Sequence, residues 1–213
     1  MEIKLVQSRE ELEQVYRLRY KVYVEEMGLN PAEADRSRGI IMDSLDATAR
    51  ILAAFSDGEV VGTVRLNLAR DTDMGEWRDH FQMEQFGPFF PERVSMTSRL
   101  IVAPRFRHGT LGLRLAKAVT QLGHGLGVRF DNVSCHARQL ALFKHWGYRQ
   151  WLPGFELEEF GKSERLVFVS DAEYLASARA PLLSALPPMV EDHGSVAFFY
   201  ENLCEPALAL EAC

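Results

Sequence analysis

VSMTSRLIVAPRFRHGTLGLRLAKA, Val94 to Ala118, is the stretch whose reading decides the fold. Val94, Met96, Ser98, Leu100 and Val102 alternate with Ser95, Thr97, Arg99 and Ile101, the two-residue period of a strand. Pro104 ends that strand because it has no amide hydrogen to give a ladder. A basic turn comes next, Arg105 to Gly112. Beyond it Leu111, Leu115, Ala118, Val119 and Leu122 recur at helical spacing. The unit is therefore strand, basic glycine turn, helix start. Free amides at a helix N-terminus with arginines nearby suit a phosphate. An ordinary strand-to-helix connection whose glycines serve geometry alone is the competing reading.

Working outward, 213 residues suit one domain with an extension, or two very small domains. A net charge of −6 argues against a general nucleic-acid role. It leaves room for a local basic patch: Arg99, Arg105, Arg107, His108, Arg114 and Lys117 crowd together. The three cysteines, Cys135, Cys204 and Cys213, have no CxxC spacing, so neither a disulfide framework nor a metal site is expected. With no leader-like start and no long apolar run, the expectation is a cytoplasmic protein without a membrane span.

Upstream, Glu2 to Val6 reads as a strand and Ser8 to Glu11 as a capping box. The helix it opens is expected to run to about Glu26, with Arg19 and Tyr23 on one face. Residues 29–42 read as a polar loop. Asp43 and Asp46 sit just before a strand, Ala49 to Phe55; Ser56-Asp57-Gly58-Glu59 is a hairpin turn, and Val60 to Leu68 returns with Arg65 on it. From Asp71 to Arg93 periodicity fails. Trp77, Phe81, Met83, Phe86, Phe89 and Phe90 must cover something apolar there, either the core or a lipophilic ligand. Downstream come a strand Val128 to His136 and a short helix Arg138 to Trp146 ended by Gly147. Next is a hairpin of Phe155–Glu159 and Arg165–Val169 turning at Gly161-Lys162. After Asp171 an Ala-rich helix, Pro187-Pro188 and the apolar run Val196 to Leu203 read as a helical appendage. The expected organisation is thus a domain over 1–170 with a helical extension, 171–213, packed on it.

This order is α+β, and three motifs make it resemble the GNAT superfamily of N-acyltransferases. They are Ser98-Arg99-Leu100-Ile101-Val102-Ala103-Pro104, the turn Arg107 to Gly112, and Leu142-Phe143-Lys144-His145-Trp146-Gly147-Tyr148. The resemblance implies a mixed, mostly antiparallel central sheet flanked by helices. It also implies an acyl-phosphopantetheine thioester as co-substrate, borne by coenzyme A or acyl-carrier protein. Its phosphate would lie on Arg107, His108, Gly109, Thr110, Leu111 and Gly112, its pantetheine along Leu100, Ile101 and Val102. A narrower set, Arg19 with Tyr23, Asp43 with Asp46, Arg65 in Gly-Thr-Val-Arg-Leu, and Ser98-Arg99, resembles acyl-homoserine-lactone synthases and bacterial long-chain N-acyl amino acid synthases. Those families imply a fatty chain taken from acyl-carrier protein and placed on an amine. Asp43, Asp46, Arg65, Ser98 and Arg99 would then form the catalytic region, with Arg19, Tyr23 and Glu25 on the amine's side. Trp77, Phe81 and Phe86 would wall the chain.

Three departures bear on mechanism. Thr110 stands where the superfamily's turn has its first glycine, which fits one phosphodiester better than a pyrophosphate. Met96 replaces the glutamate of the homoserine-lactone synthases. Phe143 stands where many relatives carry a tyrosine that protonates the thiolate. Asp43, Asp46, Glu25 and Glu26 all remain open as the base. A backbone amide near Leu100 to Val102 is the natural oxyanion donor. Cys135 reads as a buried core thiol rather than a nucleophile. Competing functions are an acetyl-coenzyme-A acetyltransferase, a peptide-lipidating variant, and a non-catalytic module that senses carrier or lipid.

Overall fold

A computed structural model describes residues 1–157, 160–171, 174, 180–187 and 193–204. The chain forms two compact units, Met1–Asn67 with Thr97–Val119, and Leu68–Met96 with Thr120–Cys213.

In the first unit Ser8 caps helix α1, Arg9–Tyr20, through the expected reciprocal box with Glu11. Val15, Leu18, Arg19 and Val22 keep the helical period and are buried, and Val15 and Tyr16 pack on Ile51 and Ala53. The helix does not continue to Glu26 in the same form, because Lys21–Glu26 widens into a π-helical turn. Strand β1, Glu2–Leu5, pairs antiparallel with β4, Arg50–Ser56. The polar loop holds a small ladder of its own, β2 (Ala34–Asp35) with β3 (Ile40–Ile41). Hairpin β4–β5, with β5 at Glu59–Leu68, turns at Asp57 (φ 53°) and Gly58 (φ 81°), the left-handed pair a tight hairpin requires.

The residues of β5 divide between its two faces. Gly62 meets helix α3, Leu111–Gly125, so closely that a Cβ there would lie 2.9 Å from Leu115 Cδ1. Odd-numbered Arg65 points to the other face. Next to β5 lies β6, Val94–Val102, and the residue after it, Ala103, donates to Val61 O at 2.9 Å.

In the second unit the first three residues of β6 pair in parallel with β7, Phe130–His136, from Val94↔Phe130 to Met96↔Asn132. Strand β7 pairs antiparallel with β9, Gly161–Val169, and β9 with β8, Arg149–Leu157. The mixed, mostly antiparallel sheet with flanking helices is thus as expected. The last hairpin turns earlier than expected, since Gly161 and Lys162 already belong to β9 and Phe160 donates to Leu157 O. Glu158, Glu159 and the Ala-rich run 175–179 lie outside the described residues.

The aperiodic stretch after Asp71 folds as helix α2, Glu76–His80, and a 3-10 segment, Met83–Phe89. Phe81, Met83 and Phe86 are fully buried. Phe86 lies 4.9 Å from Phe130 and 5.0 Å from Trp151, and Phe81 stacks on Trp77 at 5.9 Å. Of the two readings left open, closure of the core is the one these rings fulfil. Helix α4, Leu140–Trp146, ends at Gly147 as expected.

Candidate active site

Five charged side chains of the first unit converge from four elements. Asp43 caps a 3-10 turn, Ser44–Ala47, its carboxylate accepting from the Leu45 amide, while Asp46 reaches back to the Asp43 amide at 3.0 Å. This local box is why Asp-Ser-Leu-Asp forms a rigid corner before β4. Both carboxylates face inward from it. Asp46 accepts from Arg19 of α1 at 2.7 Å and from Arg65 of β5 at 3.1 Å. Asp43 accepts from Arg65 as well, and from Arg99 of β6 at 2.9 Å. Arg65 also donates through Nε to Ser98 Oγ at 3.0 Å. Tyr23, on the π-helical turn, lies under the Arg99 guanidinium at 5.3 Å.

The cluster is buried unevenly. The side chains of Arg19, Arg65 and Asp46 are 0%, 3% and 2% exposed, those of Arg99 and Asp43 11% and 12%. Arg99 and Asp43 therefore form its open edge. Burial pushes the Asp43 carboxyl up, but Arg65 and Arg99 outweigh it and hold the group at about 2. Burial likewise opposes the charge on Arg99, and Tyr23 with Asp43 more than restores it. Among the described residues three guanidiniums face two carboxylates, so this described cluster carries one positive charge in excess.

Arg99 has φ 53°, in the left-handed region, inside an otherwise extended strand. A non-glycine residue there is uncommon, and it interrupts the extended backbone at that point. After it Ile101 is buried against Leu18 and Val22. The regular alternation expected across Val94–Val102 therefore breaks at Arg99. The register with β7 stops at Met96, and β6 continues six residues further.

The family of N-acyl amino acid synthase FeeM matches residues 14–166. The chain belongs to the FeeM family. It is accordingly an N-acyltransferase, and its matched segment contains every member of the cluster. No curated protein sequence matches it. Solved structures share the fold at low identity. FeeM from uncultured soil microbes is 10% identical, with a TM-score of 0.66 over 87% of this chain and 98% of that one. The coenzyme-A-dependent acyl-homoserine lactone synthase MesI is 22% identical (0.65, over 84% and 93%), and the homoserine-lactone synthase LasI 13% (0.67, over 90% and 98%).

The remaining expected site residues of this FeeM-family chain lie mostly around the basic turn. Arg107 donates through Nε to Val102 O at 2.9 Å and through its fork to Glu26, with 2.8 Å from Nη2 to Oε2. Arg105 pairs with Glu59, and Arg114 donates to the Met1 carbonyl. The basic patch is thus largely engaged with partners remote in sequence, which spacing along the chain does not reveal. His108 has φ 64° and Thr110 directly precedes α3, so the turn Arg107–Gly112 is tightly folded. Glu25 is exposed, and Trp77 is half-buried. Cys135 is buried, and burial, with Glu164 nearby, pushes its thiol up to about 12, which removes it as a nucleophile. Among the described residues no helix is long and apolar enough to cross a membrane.

Proposed function

We propose that this enzyme moves a medium or long fatty acyl chain from the phosphopantetheine thioester of an acyl-carrier protein to the amine of an amino acid. The excess positive charge of the described cluster, with Arg99 at its open edge, is the observation that supports this most. A buried charge without a counter-ion is costly. An acceptor that brings a carboxylate supplies the counter-ion and, a few bonds away, the nucleophilic nitrogen. A charge-assisted hydrogen bond of this kind contributes about 1.5–3 kcal/mol.

In this reading the amine nitrogen attacks the thioester carbon, the C–N bond forms and the C–S bond breaks. The amine's proton leaves and the departing thiolate takes up a proton. Asp43, held at about 2, is a poor proton acceptor at neutral pH, and Asp46 has both oxygens committed to arginines. We assign both to holding Arg19, Arg65 and Arg99, and assign proton removal to water at the open edge. The amides just past the kink at Arg99 are the natural donors to the developing oxyanion. The edge of β6 beyond Met96 would carry the pantetheine, and the turn Arg107–Gly112 its phosphate. Positioning two substrates in attack geometry can contribute roughly 7–11 kcal/mol, so little further chemical catalysis is required.

Mass spectrometry tests this with octanoyl- to palmitoyl-loaded carrier protein, the matching acyl-coenzyme A thioesters, and acetyl-coenzyme A. Amino acids and their decarboxylated amines serve as acceptors. Long-chain N-acyl amino acids are expected, with decarboxylated acceptors poorer by about tenfold or more. Product from acetyl-coenzyme A alone would overturn the donor assignment. Equal rates with decarboxylated amines would overturn the role of Arg99.

A further inference from the structure

The carboxylate of Glu26 occupies the guanidinium fork of Arg107 as a phosphate would. Arg107 is pinned at the end of β6 by its Nε–H bond to Val102 O, leaving Nη1 and Nη2 as a fixed pair of donors. Both go to Glu26, one to each carboxylate oxygen, across 81 residues of sequence. Planar forks of this kind take carboxylate and phosphate with the same two-point geometry. The pair is half-exposed, 35% and 36% for the two side chains, so water and ligands can exchange with it.

Glu26 is also the last residue of the π-helical turn Lys21–Glu26, whose Tyr23 partners Arg99. The turn is held at its end by Met27 N–H to Val22 O at 3.0 Å and Leu29 N–H to Tyr23 O at 2.9 Å. One short turn therefore bears on the phosphate end of the donor turn through Glu26 and on the acceptor edge through Tyr23. π-helical turns of this sort are often found at functional sites.

We propose that Glu26 is a built-in competitor for the donor's phosphate. The phosphate displaces it from Arg107, and the freed turn relaxes the hold of Tyr23 on Arg99, whose guanidinium then turns to the acceptor's carboxylate. Donor then binds before acceptor, because Tyr23 keeps its hold on Arg99 until a donor is present. The inference rests on the proposed role of the Arg107–Gly112 turn as the donor-phosphate site.

Calorimetry with pantetheine 4′-phosphate and with pantetheine isolates the phosphate's contribution, since that group is common to both donors. In the wild-type protein the phosphorylated probe binds more tightly. Glu26→Gln should raise that preference about two- to fivefold, the range a half-exposed ion pair supports, while Arg107→Gln should erase it. Hydrogen exchange of the Val22–Leu29 amides should quicken when pantetheine 4′-phosphate saturates the wild-type protein. In Glu26→Gln it should already be fast without ligand. If Arg107→Gln keeps the full preference, the donor-site reading fails and this inference with it. If Arg107→Gln erases the preference but Glu26→Gln leaves it unchanged, the donor site stands and competition by Glu26 is refuted. Slowed or unaltered exchange at saturation refutes release of the turn.

Discussion

Replacing Asp46 with asparagine keeps its shape and removes one charge from the place where that charge is least replaceable. Asp46 is 2% exposed and bridges Arg19 and Arg65, at 2.7 and 3.1 Å. Arg19 is 0% exposed, and its Nε and Nη2 lack hydrogen-bond partners among the described residues, which offer it no second anion. The Tyr16 ring, 5.2 Å from its guanidinium, offers only a cation–π contact. Breaking a buried pair from one side costs about 3–5 kcal/mol, because the remaining charge stays buried. At about 2–4 °C per kcal/mol for a chain of this size, the melting temperature should fall by roughly 6–20 °C. Urea denaturation followed by circular dichroism measures it directly, with the midpoint lowered and the slope unchanged. A loss below about 1 kcal/mol, with substrate turnover abolished all the same, would refute the structural assignment and return Asp46 to the role of base. The double replacement Arg19→Met with Asp46→Leu should recover much of the loss, as apolar substitutes for buried ion pairs commonly do.

Three further outcomes are expected. Asp43, depressed in the folded protein from 3.8 to about 2, contributes stability present above pH 3.8 and lost as pH falls towards 2. Its share is about 2 kcal/mol, and urea midpoints between pH 2 and 5 should be flatter in Asp43→Asn than in wild type. Cys135→Ala should keep turnover within about twofold, and iodoacetamide should leave Cys135 unmodified at pH 8, because a thiol near 12 is scarcely ionised there; inactivation by either would restore a covalent mechanism. Gly62→Val should cost about 1–3 kcal/mol in urea denaturation, since even the first added carbon meets Leu115 at 2.9 Å and Ile101 O at 3.2 Å. A neutral result would mean that α3 does not pack on β5 as described.

Much of the candidate site is legible in the sequence only through its resemblance to acyl-homoserine-lactone synthases and N-acyl amino acid synthases. Arg19, Asp43, Asp46, Arg65, Ser98 and Arg99 are ordinary one by one, and Arg65 on a strand would normally be assigned to water. Together they match the set that the resemblance implies, and the fold brings them into one cluster. What stayed hidden depends on geometry without a local signature. The left-handed Arg99 has no glycine to announce it, so β6 reads as regular. The π-helical turn at Lys21–Glu26 keeps the residue types of the helix before it. Phe81 and Phe86 could equally line a ligand or close a core, and only their contacts with Trp77, Phe130 and Trp151 decide between the two. The partners of Arg105 and Arg107, Glu59 and Glu26, lie far off in sequence, so a run of basic residues looked freer than it is.

The first unit takes its residues from both sides of an intervening stretch, and the charges of its cluster are divided the same way. Within Met1–Asn67 the tally is even, with Arg19 and Arg65 set against Asp43 and Asp46. This quartet can neutralise itself before the rest of the chain arrives. Arg99 comes later, on β6, and has to share Asp43 with Arg65, which leaves the described cluster one positive charge in excess. In the proposed mechanism architecture and reactivity are thus drawn from different parts of the polypeptide: the early portion makes a silent foundation, and the returning strand carries the charge that would meet an incoming molecule.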